Sequence, residues 1–236
     1  MNVTINNFKP FDTIAGINQI EEVENYILPE TIIITMVDIW SLYKKRFPKN
    51  IDVYFVNTLE EKELEREVSK FKNYKMIIGF GGGQALDIAK YFSWKCNLKL
   101  FQFPTSISVD AVFGHRSGIR RGGNVNYIGW AIPECVFLDY EIIQSAPKIY
   151  NYSGIGDVLC FYTGVLDWQY ANKQNKCEEK WSYKSELANK SLGYVEDLLL
   201  NVDNIKEMNE EGINAIIRAH QWGGNSFFSS GWNPRH

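Results

Sequence analysis

Residues 76–90 read Met-Ile-Ile-Gly-Phe-Gly-Gly-Gly-Gln-Ala-Leu-Asp-Ile-Ala-Lys, and this stretch decides the fold. An apolar run ends at Phe80 and passes into the triplet Gly81, Gly82 and Gly83, after which a helical sequence begins. Glycine adopts backbone angles that a side chain forbids, so the chain can turn tightly and leave its N–H groups open to an anion. The amides and the dipole of the following helix favour negative charge at the same place. The stretch therefore predicts a strand, a phosphate-binding turn and a helix.

The spacing of these glycines differs from the common dinucleotide-binding fingerprint. That fingerprint, G-x-G-x-x-G, spreads its glycines along the turn and has an acidic residue about twenty positions further on for the ribose. Here Asp87 and Lys90 lie inside the first turns of the predicted helix instead. A glycine cluster alone is equally typical of a tight strand-to-helix turn, so the assignment depends on the rest of the chain.

Strand and helix signals alternate through the first half of the sequence. Apolar runs predict buried strands at four places, residues 31–37, 51–56, 76–80 and 99–103. Helical patterns lie between them at residues 39–47 and 59–71. Such alternation implies a parallel sheet covered on both faces. Ligands of these sheets bind at the carboxyl ends of the strands, so we expect the glycine turn and residues 105–110 to face one crevice.

After Pro147 the sequence no longer shows the apolar runs that are typical of strands. Apolar residues take helical spacing in three later segments, residues 158–170, 178–200 and 205–222. We therefore predict an α/β fold in two parts. A Rossmann-like parallel-sheet domain covers residues 1–148, and an all-α domain covers residues 149–236.

Composition narrows the class of protein. The 236-residue chain can bury a substantial core, and its net charge of −3 argues against a nucleic-acid partner. No apolar run approaches the length of a membrane span, and the N-terminus lacks the pattern of a signal peptide, so no membrane partner is expected. The four cysteines lack C-x-x-C spacing, which predicts free thiols in a reducing cytoplasm.

Several short motifs follow the glycine turn in a fixed order. They are Phe103–Asp110, Ala131–Pro133, Leu138–Asp139, Ser145–Pro147, Gly154–Leu159, Thr163 and Asp167–Trp168. This ordered set resembles the iron-containing alcohol dehydrogenase and dehydroquinate synthase-like superfamily, and within it the glycerol-1-phosphate dehydrogenases. The resemblance covers about residues 77–171. Relatives have a longer helical domain, so we expect this sequence to hold only part of it.

The resemblance implies a cofactor site and a substrate site. The cofactor is NAD or NADP, and the implied contacts are Gly81, Gly82, Gly83, Gln84, Ala85, Asp87, Thr105 and Ser108. Asp110 corresponds to the carboxylate that accepts hydrogen bonds from a polyol or polyol phosphate. Gly114 stands where the family pattern has a serine. Arg116 and the pair Arg120 and Arg121 could clamp a phosphate or could equally be surface residues.

Asp157 is the implied ligand of a divalent metal, either zinc, iron or nickel. In relatives this aspartate binds the ion together with two later histidines, and an open site of three ligands polarises a substrate oxygen. Its alternative role is the N-cap of a helix. The candidate histidines are His220, which could equally be a packed polar group, and His236, whose spacing does not match the family pattern, so we expect this chain alone to bind metal weakly. His115 is expected to be a solvated loop residue.

The resulting hypothesis is an NAD(P)-dependent, metal-assisted oxidoreductase that interconverts a polyol or polyol phosphate and its ketone. We expect a cytoplasmic homodimer, and we expect this chain alone to turn over poorly. Two alternatives remain open. One is a dehydroquinate synthase-like cyclase or lyase, and the other is a truncated nucleotide-binding homologue without turnover.

Overall fold

The computed structural model describes residues 12–230, which divide into two compact units. The sheet unit contains residues 12–106 and 114–146. The helical unit contains residues 107–113 and the described chain from Pro147 onward. Residues 107–113 thus belong to the helical unit, although the residues directly before and after them belong to the sheet unit. The domain boundary predicted at residue 148 stays a prediction. It did not assign residues 107–113 to the helical unit.

The sheet unit is built on six parallel strands in the order β1-β8-β5-β4-β2-β3. These strands are β1 (Thr13–Gly16), β2 (Thr31–Thr35), β3 (Asp52–Phe55), β4 (Met76–Gly81), β5 (Lys99–Pro104) and β8 (Cys135–Asp139). A two-stranded antiparallel hairpin accompanies them, with β6 (Ser117–Arg121) and β7 (Asn124–Ile128). The helices are α1 (Gln19–Glu24), α2 (Val37–Tyr43), α3 (Glu61–Glu67), α4 (Gly83–Cys96) and α5 (Tyr140–Ser145). The predicted fold class is therefore confirmed.

The core covers both faces of this sheet. Alternate residues of β2 enter opposite clusters, since Ile32 and Ile34 pack on one side and Ile33 packs on the other. All residues of β2 and β4 are buried, as strands of a doubly covered parallel sheet should be. On one side Phe71 and Phe92 stack with ring centroids 3.8 Å apart. This packing holds β4 and α4, and with them the glycine turn, in the centre of the unit.

The observed elements differ from the predicted ones at the end of β2 and at the β6–β7 hairpin. The predicted strand at residues 31–37 ends at Thr35, because α2 already begins at Val37. The hairpin was not predicted. Its turn residues Gly122 and Gly123 both have positive φ, 58° and 81°, which is the signature of a tight two-residue hairpin turn. Glycine supplies these angles without strain.

The helical unit contains α6 (Lys148–Lys173), α7 (Ser185–Leu200), α8 (Val202–Glu207) and α9 (Glu210–Ser230). The first helix begins ten residues earlier than predicted, directly after Pro147, a residue that favours helix starts. The predicted helix 205–222 is broken at Met208, whose φ of 57° is left-handed. Asn209 then caps the next helix by accepting from the N–H of Gly212 at 3.0 Å. Along residues 12–230, no helix combines the length and hydropathy that a membrane crossing needs.

Candidate functional site

The strand order of the sheet unit creates a crevice between β2 and β4. The connection after β2 leads to β3 on one side, and the connection after β4 leads to β5 on the other side. Neighbouring strands whose connections diverge leave a crevice outside their carboxyl ends, and doubly wound sheets bind their ligands there. The glycine turn follows the carboxyl end of β4. It therefore lies where the topology leaves room for a ligand.

Gly81 and Gly82, the first two glycines of this turn, have different surroundings. Gly81 has a φ of 152°, an angle that side chains rarely adopt, and its carbonyl accepts the N–H of Thr105 at 3.0 Å. Gly82 is extended, with a φ of −80°, and it is the N-cap of α4. A Cβ at Gly82 would come within 4 Å of one atom only, Ser106 Oγ at 3.9 Å. The fold itself thus has no steric need for glycine at position 82, whereas an anion approaching the first amides of α4 does.

The remaining predicted cofactor residues divide between the two units. Gln84 is exposed on the first turn of α4, whereas Ala85 and Thr105 are buried. Asp87 forms an ion pair with Lys90, with Oδ1 and Nζ 2.8 Å apart. Ser108 belongs to the helical unit, where its carbonyl accepts from Ser153 Oγ at 3.4 Å. The structure therefore brings the residues of the glycine turn and Thr105 together and assigns Ser108 to the other unit.

The segment 107–113 is fastened to α6 by two hydrogen bonds. The N–H of Asp110 donates to Asp157 Oδ2 at 3.0 Å, and the N–H of Ile107 donates to Asn151 Oδ1 at 3.0 Å. Asn151 is fully buried. The two candidate aspartates are thus adjacent, and the Asp157 carboxylate fixes the backbone of Asp110. Asp157 lies nine residues after the start of α6, so its alternative role as the N-cap is wrong.

The glycines of the Gly-Ile-Gly-Asp motif also have different roles. A Cβ on Gly154 would lie 2.0 Å from the carbonyl oxygen of Ile107, so only glycine lets the segment approach α6 this closely. A Cβ on Gly156 would meet nothing within 4 Å. The first glycine is therefore a packing residue for the segment that holds Asp110. The sequence marked this motif but could not assign that role.

The described residues by themselves do not fit a metal site. No three side chains among His, Cys, Asp and Glu within residues 12–230 converge on a common point that could hold an ion. His220 is 1% exposed, and its Nε2 donates to the carbonyl oxygen of Gly154 at 3.2 Å. His236 lies outside the described residues. The predicted ligand set of Asp157, His220 and His236 therefore stays a prediction, and no chemical step is derived through it.

His115 is buried, so its assignment as a solvated loop residue is wrong. Its side chain is 4% exposed, and the centroid of its ring lies 4.1 Å from that of Trp130. Its carbonyl accepts the N–H of Ala131 at 2.9 Å. Burial lowers the pKa of His115 to about 3, and the positive charges of Arg116 and Lys90 act in the same direction. His115 is consequently neutral at ordinary pH.

Lowering the pH from 7 to 5 is expected to destabilise the protein by about 2 kcal/mol through His115 alone. Below pH 6.5 the unfolded chain protonates this histidine, whereas the folded state keeps it neutral until about pH 3. Stability is therefore lost as the pH falls through this window, and above it the contribution vanishes. Urea titrations of the wild type and His115→Gln at both pH values measure the effect. Equal pH dependence in the two proteins would contradict it.

The three arginines after Asp110 have partners within the sheet unit. Arg121 pairs with Glu61 at the start of α3, and Arg120 Nη1 donates to the carbonyl of Gly123 at 3.2 Å. Arg116 Nη1 donates to the carbonyl of Tyr127 at 3.3 Å. All three arginines are exposed. These contacts favour a structural role in the hairpin over a phosphate clamp.

Comparison with known proteins agrees with this architecture. Residues 41–147 match the family described as iron-containing alcohol dehydrogenase. A glycerol-1-phosphate dehydrogenase [NAD(P)+] of Pyrococcus horikoshii is 30% identical over 224 residues, which are 89% of this chain and 63% of the relative. The crystal structure of glycerol dehydrogenase from Schizosaccharomyces pombe superposes with a TM-score of 0.72 at 18% identity, covering 95% of this chain and 61% of the other. A sulfoacetaldehyde reductase from Bifidobacterium kashiwanohense, solved in complex with NAD+, superposes with a TM-score of 0.65 at 17% identity and covers 94% and 66%.

A doubly wound parallel sheet with a glycine turn at the carboxyl end of a central strand, followed along the chain by a helical unit, defines a Rossmann-like α/β fold. This chain is similar over residues 41–147 to the iron-containing alcohol dehydrogenase family, and its curated relatives are named glycerol-1-phosphate dehydrogenase. It spans less than two thirds of the length of those relatives.

Proposed function

We propose that this chain provides the NAD(P) site of an oxidoreductase that interconverts a polyol phosphate and its ketone. The observation that carries the proposal is the glycine turn, where Gly82 leaves open space at the start of α4 on the binding edge of the sheet. The relatives named glycerol-1-phosphate dehydrogenase [NAD(P)+] support both the cofactor and the substrate class.

Each residue has a defined part in this proposal. The bound dinucleotide supplies or accepts the hydride. Backbone amides of the glycine turn and of Gln84 and Ala85 bind its pyrophosphate, because the first amides of a helix lack partners within the helix. Thr105 and Ser108 make further cofactor contacts. Asp110 accepts hydrogen bonds from the substrate hydroxyls, and Asp157 orients it by accepting its backbone N–H.

The proposal also includes a metal site, an oligomeric state and a cellular location. Asp157 with His220 and His236 is the proposed set for a divalent ion, either zinc, iron or nickel. The assembly is a proposed homodimer. The proposed location is the cytoplasm.

Replacing Asp110 by alanine is expected to lower kcat/KM for reduction of dihydroxyacetone phosphate at least about a hundredfold, while the Kd for NADH stays within about twofold. The carboxylate is proposed to contact the polyol and not the nucleotide. Asp203→Ala is the matched control, because that carboxylate lies in the same helical unit, is 88% exposed and pairs with neighbouring Lys206. Equal loss of cofactor binding in Asp110→Ala would mean that Asp110 holds the segment and not the substrate.

A second candidate is a nucleotide-binding homologue without turnover. It is favoured by the lack of a convergent metal set within residues 12–230. On either reading we expect the chain to bind NADH in calorimetry and to bind zinc weakly, since a catalytic site requires about three protein ligands. Stoichiometric zinc together with turnover on the order of 1 per second or faster would reject the second candidate. Dinucleotide binding without turnover at saturating zinc would favour it.

A further inference from the structure

Lys90 is a buried cation in the middle of α4, the helix that begins at the glycine turn. Only 1% of its side chain is exposed. Burying an ammonium group costs several kcal/mol unless it is paired. Its Nζ lies 2.8 Å from Asp87 Oδ1 and donates to the carbonyl oxygen of Arg116 at 2.6 Å. The lysine therefore connects α4 with the start of the hairpin, since β6 begins one residue after Arg116.

Asp87 completes this connection from the same helix. Its side chain is 19% exposed, and a Cβ on Gly118 would lie 3.0 Å from its Oδ2. The carboxylate thus lies directly against the backbone of β6, at a position where glycine makes room for it. One oxygen of Asp87 faces the lysine and the other faces the hairpin.

The hairpin is held at its far end as well. The N–H of Arg120 donates to the carbonyl of Leu59 at 2.8 Å, and the N–H of Gly123 donates to Glu60 Oε1 at 3.3 Å. Arg121 pairs with Glu61. The hairpin is therefore anchored to the beginning of α3 and, through Asp87 and Lys90, to the first half of α4. Both helices follow strands of the parallel sheet, so both begin at its carboxyl edge, where the proposed cofactor binds.

We propose that Asp87 and Lys90 act together as a positioning pair for the cofactor and that Asp87 is not itself a cofactor ligand. The inference rests on the proposed binding of dinucleotide at the glycine turn. Asp87 lies about 6 Å along the helix axis from Gly83, at 1.5 Å per residue. An unpaired carboxylate at that distance repels a pyrophosphate, because it is closer than one Debye length. Lys90 cancels this charge and at the same time anchors the hairpin.

The two single variants are expected to act in opposite directions. Lys90→Met removes the compensating charge next to Asp87 and should weaken NADH and ADP binding about tenfold to a hundredfold, as a unit charge about 6 Å from a bound anion does at an effective dielectric of about 20 to 40. Asp87→Asn keeps an oxygen that accepts from Lys90 and removes the negative charge near the bound anion. It should bind both ligands at least as tightly as the wild type. A directly coordinating Asp87 would instead lose affinity in Asp87→Asn.

The double variant Asp87→Asn/Lys90→Met is the decisive measurement. With both charges removed, NADH and ADP affinity should recover to within about threefold of the wild type. Purely structural damage would add in the double variant and give no rescue. Calorimetry at low and high salt reports the affinities, and circular dichroism selects folded proteins. Gly118→Ala, which presses on Asp87 Oδ2 without changing charge, should raise hydrogen exchange across residues 117–128, whereas Gly193→Ala, with open space around it, should not.

The outcomes separate this inference from the proposed function. If the wild type does not bind NADH, the proposed function fails. If the wild type binds NADH but Asp87→Asn loses affinity as Lys90→Met does, or if the double variant shows no recovery, the positioning pair is wrong and the proposed function stands. If Lys90→Met does not fold, Asp87→Asn still decides between positioning and direct contact.

Discussion

Replacing Gly82 by valine is expected to abolish binding of NAD(H) and NADP(H) while the protein stays folded. The added Cβ meets only Ser106 Oγ, at 3.9 Å, so the fold can accept a side chain there. The side chain fills the open space at the start of α4 that the pyrophosphate needs to reach the amides. We expect at least about a hundredfold loss of affinity, which corresponds to about 2.7 kcal/mol. Calorimetry with NADH and NADPH measures it.

Gly193→Val is the matched control for this experiment. Gly193 lies in α7, and a Cβ there would meet nothing within 4 Å. It should be neutral or slightly stabilising, because valine is a better helix former than glycine, and it should leave cofactor affinity unchanged. Thermal unfolding should show that both variants are folded. Unchanged NADH affinity in Gly82→Val would remove the dinucleotide assignment of the turn.

Replacing Gly154 by alanine is expected to destabilise the helical unit by about 3 kcal/mol, because overpacking against rigid backbone cannot relax by a rotamer change. The new Cβ would lie 2.0 Å from the carbonyl oxygen of Ile107. To avoid this overlap, the segment 107–113 must move away from α6. The N–H of Asp110 then loses its bond to Asp157, and its hydrogen exchange should accelerate.

Gly156→Ala provides the comparison two residues further along the same helix. Its Cβ has open space, and alanine is a better helix former than glycine, so this variant should be neutral or more stable by up to about 1 kcal/mol. The two alanine variants differ only in position, and denaturant titration of each gives the difference directly. Equal unfolding midpoints would show that the close approach at Gly154 does not contribute to stability.

Part of the candidate site could be predicted because its chemistry is local. The turn of Gly81, Gly82 and Gly83 follows from adjacent residues, since the backbone freedom of glycine and the free amides of a new helix need no distant partner. The predicted strands and helices of the first half were close to those observed for the same reason. The ordered motifs indicated a resemblance to the iron-containing alcohol dehydrogenases, and the comparisons confirm that resemblance.

Other parts of the site depend on partners far away in the sequence. Asp157 was recognised as important, but its bond to Asp110 joins residues 47 positions apart. His220 was considered as a ligand, yet its Nε2 donates to Gly154, 66 positions away. The pair Gly122 and Gly123 is a signal for a hairpin turn, but polar and apolar residues do not alternate along β6, so the sequence did not mark both strands.

The sequence by itself determined the parallel sheet and the glycine turn between β4 and α4, because periodicity and short-range sterics act between neighbouring residues. Only the tertiary structure decided that Lys90 and Asp87 hold the hairpin, that His115 is buried and neutral, and that residues 107–113 join the helical unit. These outcomes depend on packing and desolvation. Both are properties of contacts between distant segments, and no local pattern in the chain records them.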